Sequence, residues 1–326
     1  MIVPEYWAEA REQARHKGRP ITVRRYGWSD ESVDAAQAHA NARARQALDA
    51  ILAGASLPRR ELRTNYGVAG VPIREQIVAH HGDVVITRNS YGALCLNTPD
   101  VLFADVDLAE RPSGCVVSIG GLAIIAAVGF AVGLLAWHWV AGVALAMLGV
   151  WAVNRFWLRR QQAVFDRDGG AEVRALALVD AFSAAHPEWH LRIYRTPAGL
   201  RVLAMHRTFQ PDDADAARLF SALQADRLYT VMCKVQRCFR ARLTPKPWRI
   251  GIDQRIRPPV AAWSAEQANL PERLAWIAGY EQRSRGHAAC CYLGSLGDTA
   301  RIDPKAEHVR ALHDAMARAD SDLPLA

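Results

Sequence analysis

The chain has 326 residues, 51% hydrophobic and 22% charged, with six cysteines. That apolar content excludes a disordered chain and so few cysteines exclude a disulfide-stapled scaffold, which leaves one large or two smaller domains with a real core. A total of 40 Lys and Arg against 33 Asp and Glu gives a net charge of +7, a balance that favours anionic partners such as nucleotides, nucleic acid or acidic lipid headgroups.

The first twenty residues are polar and contain no apolar core of a signal peptide. A Ser or Asp cap after Trp28, an Ala-rich periodic run and a closing Gly54 predict one helix. Residues 74–80, 83–88, 93–96 and 100–108 read as strands separated by the turn signals HHGD, NSYG and NTPD, a pattern that predicts an antiparallel meander. The last of these strands ends in Asp105 and Asp107. Two-residue spacing puts both carboxylates on one face, where they could ligate Mg²⁺ or Mn²⁺; a plain solvated strand end is the alternative.

From Cys115 to Trp157 the chain is apolar for about 43 residues and carries no charged side chain before Arg155. One helix would be twice the length a bilayer needs, so the run predicts two transmembrane spans, 115–136 and 139–157, turning at Trp137-His138-Trp139. The turn lacks Lys and Arg, whereas Arg111, Arg155, Arg159 and Arg160 flank the spans. By the positive-inside rule this predicts an inner-membrane protein of bacterial type with both termini cytoplasmic. Gly129 and Gly133, with Gly142 and Ala146, form small-residue faces that suit packing of the two helices on each other, or a homodimer through the same faces. In a reducing compartment or a bilayer the cysteines stay as thiols, and no Cys-x-x-Cys spacing suggests zinc.

Beyond the apolar run the pattern predicts a helix over 171–185, a hairpin of strands 191–194 and 200–205, helices over 212–225, 226–236 and 271–285, a strand near 288–293 and a helix from Pro304 to Ala319. Residues 233–257 hold eight basic side chains against the single acid Asp253. Among them Arg240, Arg242, Lys246 and Arg249 alternate with Phe239 and Trp248, which suits nucleic acid or nucleotide phosphates with stacked bases. Anionic lipid headgroups, or a solvated surface, fit the same residues.

The order of a strand ending in D-x-D, a helix, and a strand at Thr196-Pro197-Ala198-Gly199-Leu200-Arg201 resembles the archaeo-eukaryotic primase-polymerase superfamily over about residues 101–205, with the apolar run removed. The resemblance implies metal ligation by Asp105 and Asp107, nucleotide contact near Thr196, and Arg201 in the place of the family's histidine. Asp253 is the candidate third carboxylate, because Asp303-Pro304 reads instead as a helix start.

Neither half has enough strands for its own sheet. The expectation is therefore an α+β protein: an antiparallel sheet with packed helices, interrupted by a two-helix transmembrane hairpin. The cytoplasmic halves would be 1–112 and 159–326, with the hairpin at 113–158. An anchored domain that binds nucleotide or nucleic acid is the leading functional expectation; a metal-dependent nucleotidyltransferase and a non-enzymatic membrane-surface module are the alternatives.

Overall fold

The computed structural model describes residues 1–16, 18–61, 71–108, 112–115, 117–135, 139–257 and 263–326. The chain divides into two compact units, one made of Met1–Val106 with Phe182–Ala326 and the other of Asp107–Ala181. The fold class is α+β with antiparallel sheets and, among the described residues, eight α-helices.

The first unit begins with two strands that the reading of the sequence did not predict. β1 (Tyr6–His16) and β2 (Arg19–Ser29) pair antiparallel along their whole length. β1 is rich in Ala, Glu, Arg and Gln, good helix formers, so pairing with β2 overrides local propensity. α1 (Val33–Leu52) starts at Ser32, whose hydroxyl accepts from the Ala35 amide. Its stripe Ala36, Ala40, Ala44, Ala47 and Leu48 is buried. A Cβ at Gly27 of β2 would overlap backbone atoms of Ala36 and Ala40, so glycine and alanine together set this close helix-on-strand approach.

β3 (Gln76–His81), β4 (Val84–Arg88) and β5 (Leu94–Thr98) form the expected meander, and β9 (Phe239–Arg242) completes that sheet in the order β3-β4-β5-β9. The fourth strand of the expected meander, β6 (Phe103–Asp107), leaves it. It joins a second sheet of order β10-β7-β8-β6, built with β7 (His190–Thr196), β8 (Gly199–Ala204) and β10 (Cys291–Gly297). Both four-stranded sheets thus combine strands from before and after the central unit. β10 begins three residues later than the sequence pattern suggests, because Ala288 is bridged to Leu325 near the C-terminus.

Helices α5 (Ala214–Ala222), α6 (Arg227–Gln236), α7 (Pro271–Ser284) and α8 (Pro304–Ala317) complete this unit. Asp303 caps α8 by accepting from the Lys305 and Ala306 amides, with Pro304 in the first turn. All six cysteines are free thiols.

The second unit carries α2 (Ile119–Leu135) and α3 (Trp139–Arg167); α4 (Gly170–Ala185) begins in it. α2 and α3 pack antiparallel. A Cβ at Gly133 would overlap Gly142, and one at Gly129 would press on Ala146, so the small-residue faces meet each other within the chain. Among the described residues only α3 is both long and apolar enough to cross a membrane. The 17 residues of α2 span about 26 Å at 1.5 Å each, short of a hydrocarbon core of about 30 Å, and residues 136–138, which include Trp137 and His138 of the expected turn, lie outside the described residues.

Three buried histidines give the first unit a pH signature. Burial holds His190, His206 and His313 below the ordinary imidazole value. His206 is packed between Trp189 and Phe209, and after burial the repulsion of Arg301 and Arg207 outweighs Glu188, taking it down to about 4. Such a group is neutral when folded and gains a proton on unfolding below pH 6.5, so its contribution is intact above 6.5 and is lost as pH falls toward 4. Urea midpoints should drop across that window, and His206→Gln should flatten the slope; an unchanged slope in the variant would refute the assignment.

Candidate anion-binding site

Alternation along β7 and β8 divides the second sheet. Leu191 and Ile193 lie on one face; Arg192, Tyr194 and, through the register Tyr194↔Arg201, Arg201 lie on the other. Against this second face stand Arg310, His313 and Asp314 of α8, spaced i, i+3 and i+4. Arg201 is 2% exposed and sits at the centre. Its Nε donates to Asp105 Oδ1 at 2.8 Å and its Nη2 to Oδ2 at 3.2 Å. Nη1 donates to the Arg242 carbonyl at 2.9 Å and lies 3.2 Å from His313 Nε2. Accepting there leaves the His313 proton on Nδ1, 2.8 Å from Asp314 Oδ1. Burial opposes the charge on Arg201, but the Asp105 carboxylate more than offsets it and raises the guanidinium above its ordinary value.

A second ion pair, between the buried Glu75 and the half-buried Arg240, lies on the first sheet. Arg240 makes two bonds to Glu75, at 2.7 and 2.8 Å, and a third to Asn97 at 3.1 Å, while Thr87 donates to the same glutamate at 2.6 Å. The Tyr229 hydroxyl reaches the carbonyls of Phe103 and Arg240, at 3.0 Å each, tying β6 to β9.

The sequence-derived site residues therefore separate into two groups. Arg201, buried, and Arg240, half-buried, each have their own carboxylate. Asp105 is held by Arg201 through both oxygens, the atoms a divalent cation would need. Asp107 is exposed at the end of β6, Asp253 is exposed on a loop, and Thr196 is half-buried at the β7–β8 turn. Among the described residues no group of three or more His, Cys, Asp or Glu is gathered to hold a metal ion.

Arg242, Lys246 and Arg249 form the second group. Arg242 Nε and Arg249 Nη1 are both shielded from solvent with no hydrogen-bond partner, and among the described residues neither side chain has an acidic partner. Burial, then repulsion from Arg242, holds Arg249 below its ordinary value, against a smaller opposing effect of Tyr91. Beside them Trp248 is 52% exposed, its ring edge-on to Tyr91 at 5.3 Å and 5.4 Å from Lys246 Nζ. The ledge is rigidly mounted. Tyr280 Oη is 2.7 Å from both Thr244 Oγ1 and the Pro245 carbonyl, Thr244 Oγ1 accepts from the Leu94 amide, and a 3-10 turn over Pro247–Ile250 carries Trp248. Sequence reasoning missed Glu75, Asp314 and Tyr91. Tyr91 was visible only as part of the NSYG turn, and no local signal pairs Glu75 with a residue 165 positions away.

Another cleft, of about 400 Å³ between β2 and α1, is lined by Arg25 and Arg43, but Glu61 already balances it, accepting from Arg43 Nη2 at 2.5 Å. Comparison with family models, with curated proteins and with solved structures finds no match to this chain.

Treating Asp105–Arg201 as a structural pair predicts that Asp105→Ala, which strands a buried guanidinium, lowers stability by roughly 3–5 kcal/mol. The double variant Asp105→Leu/Arg201→Met should lose clearly less than the two single changes summed. Thermal or urea unfolding of all three reads this out; a fully stable Asp105→Ala would show that the pair is not structural.

Proposed function

We propose that this protein is a membrane-anchored binding protein whose α+β unit takes a phosphate-bearing ligand at Arg242 and Arg249, with an aromatic group of the ligand stacked on Trp248. The observation that carries this reading is the pair of electrostatically coupled guanidinium groups whose shielded N–H groups face no acceptor. Hydrogen bonds to a charged partner contribute about 1.5–3 kcal/mol each, and leaving such donors unmade costs a comparable amount, so the site is arranged for an anion that supplies what the chain does not. Lys246 adds charge at the rim. The exposed indole suits a nucleobase, which makes a nucleotide or single-stranded nucleic acid the ligand class that uses all these features.

The anchoring half of the proposal is supported by the surface of α2 and α3. Ile119, Ile124, Val132, Leu135, Trp139, Met147, Leu148 and Trp151 all face outward, an apolar face that water would penalise and lipid would cover. With α3 as the spanning helix and α2 packed on it, Arg155, Arg159 and Arg160 put the end of the apolar stretch on the cytoplasmic side. The full chain should remain with membranes through an alkaline carbonate wash, and release into the supernatant would refute anchoring.

For the site, tripolyphosphate, ATP and a short single-stranded DNA are added to the full chain in lipid nanodiscs. Binding should quench Trp248 fluorescence, with Trp248→Phe as the control that identifies the responsible ring. Arg242→Gln or Arg249→Gln should weaken binding by about tenfold or more. In the absence of ligand the same changes should leave stability unchanged or raise it by about 0.5–1 kcal/mol, since each removes an unpartnered charge. Destabilisation together with unchanged binding would instead make these arginines structural.

A further inference from the structure

α3 does not stop where its apolar stretch stops. The stretch runs from Trp139 to Trp157, about 27 Å of helix and close to the thickness of a hydrocarbon core, and the helix then continues to Arg167. Arg155, Arg159 and Arg160 are clustered at that junction, and all three are exposed. Arg155 and Arg159 are i, i+4 neighbours of like charge, an arrangement that destabilises a helix unless an anion lies between them. No carboxylate sits within one turn of any of the three along the helix; the first acid on α3 is Asp166. Their guanidinium groups rest on aromatic rings, Arg155 over Trp151 at 5.9 Å and Arg160 over Trp157 at 5.5 Å. On the face of Arg155, Trp151 and Leu148 precede it at i−4 and i−7 within the apolar stretch, and both are exposed.

We infer that this junction is a binding site for an anionic phospholipid, its headgroup phosphate held between Arg155 and Arg159, with Arg160 adding charge at the same depth, and its upper acyl segment lying against Trp151 and Leu148. The inference rests on the reading of α3 as a membrane span. Charge complementarity selects the occupant: three cations with no acid beside them on the helix lie where an apolar stretch emerges, with tryptophan at the depth of the headgroups. A zwitterionic lipid offers the phosphate together with a competing cation, whereas phosphatidylglycerol offers a net negative charge.

Native mass spectrometry of the full chain, extracted from vesicles of phosphatidylcholine containing a minor fraction of phosphatidylglycerol, tests this. Phosphatidylglycerol should be retained preferentially. Each arginine near such a surface contributes about a fivefold preference, so Arg155→Gln/Arg159→Gln/Arg160→Gln should lower the preference by on the order of a hundredfold. The corresponding triple lysine variant keeps the charge and should retain most of it, which separates loss of the site from loss of folding. A chain that inserts yet binds both lipids equally, or a glutamine variant that keeps the preference, would overturn the inference. A chain that never partitions into vesicles would instead overturn the membrane reading on which it rests.

Discussion

The fold of the larger unit turns on one buried guanidinium. Arg201 on β8 reaches a carboxylate on β6, a carbonyl on β9 and an imidazole on α8, so a single side chain joins elements of both four-stranded sheets and a helix. Arginine suits the position because its planar fork presents several donors in fixed directions, whereas a lysine at the same place would offer one point charge. The cation in turn sets the state of its surroundings. By donating to His313 Nε2 it leaves that ring neutral, with its proton aimed at Asp314, and Asp314 is then free to receive Arg192 and Arg310. Burial without this chain of partners would leave several charges uncompensated at once.

The arginines of the candidate site and of the α3 junction fall into two physically distinct classes. Arg201 is buried and Arg240 half-buried, each with a carboxylate from a distant part of the sequence, and they serve to hold strands together. Arg242 and Arg249, and separately Arg155, Arg159 and Arg160, have no such acid among the described residues. Arg201 links the classes, since the carbonyl it holds belongs to Arg242, so the interior network fixes the backbone from which the outer site projects. On the function proposed above, Arg242 and Arg249 stand on a rigid, internally satisfied frame, the arrangement expected where a ligand's charge completes a site.

Much of the architecture was legible in the sequence because it is local. The Ser32 and Asp303 caps, the hairpin turn after Thr196 and the apolar run each announce themselves within a few residues. β1 was hidden because its Ala, Glu, Arg and Gln favour helix in isolation, although β2, with Ile21, Thr22, Val23 and Tyr26, has the composition of a strand. The sheet that β6 joins was equally hidden, because alternation marks a strand without saying which neighbour it pairs with. For the candidate site, the basic segment around Arg242 was visible as composition. Which of its cations were already paired was not, since Glu75 and Asp105 lie far away in sequence.

By itself the sequence determined that the protein is α+β with one long apolar segment, and that positive charge is concentrated after residue 233 and at the end of that segment. Periodicity, caps and composition act over a helical turn or a strand, and they carry that information directly. Only the tertiary structure decided that Asp105 holds an arginine through both oxygens, that Arg201 is internal and Arg240 paired with Glu75, and that Arg242 and Arg249 are left without acids among the described residues. The reason is that an ion pair is set by which side chains share a buried volume, and that follows from how the strands are ordered in the sheets rather than from any stretch of the chain read alone.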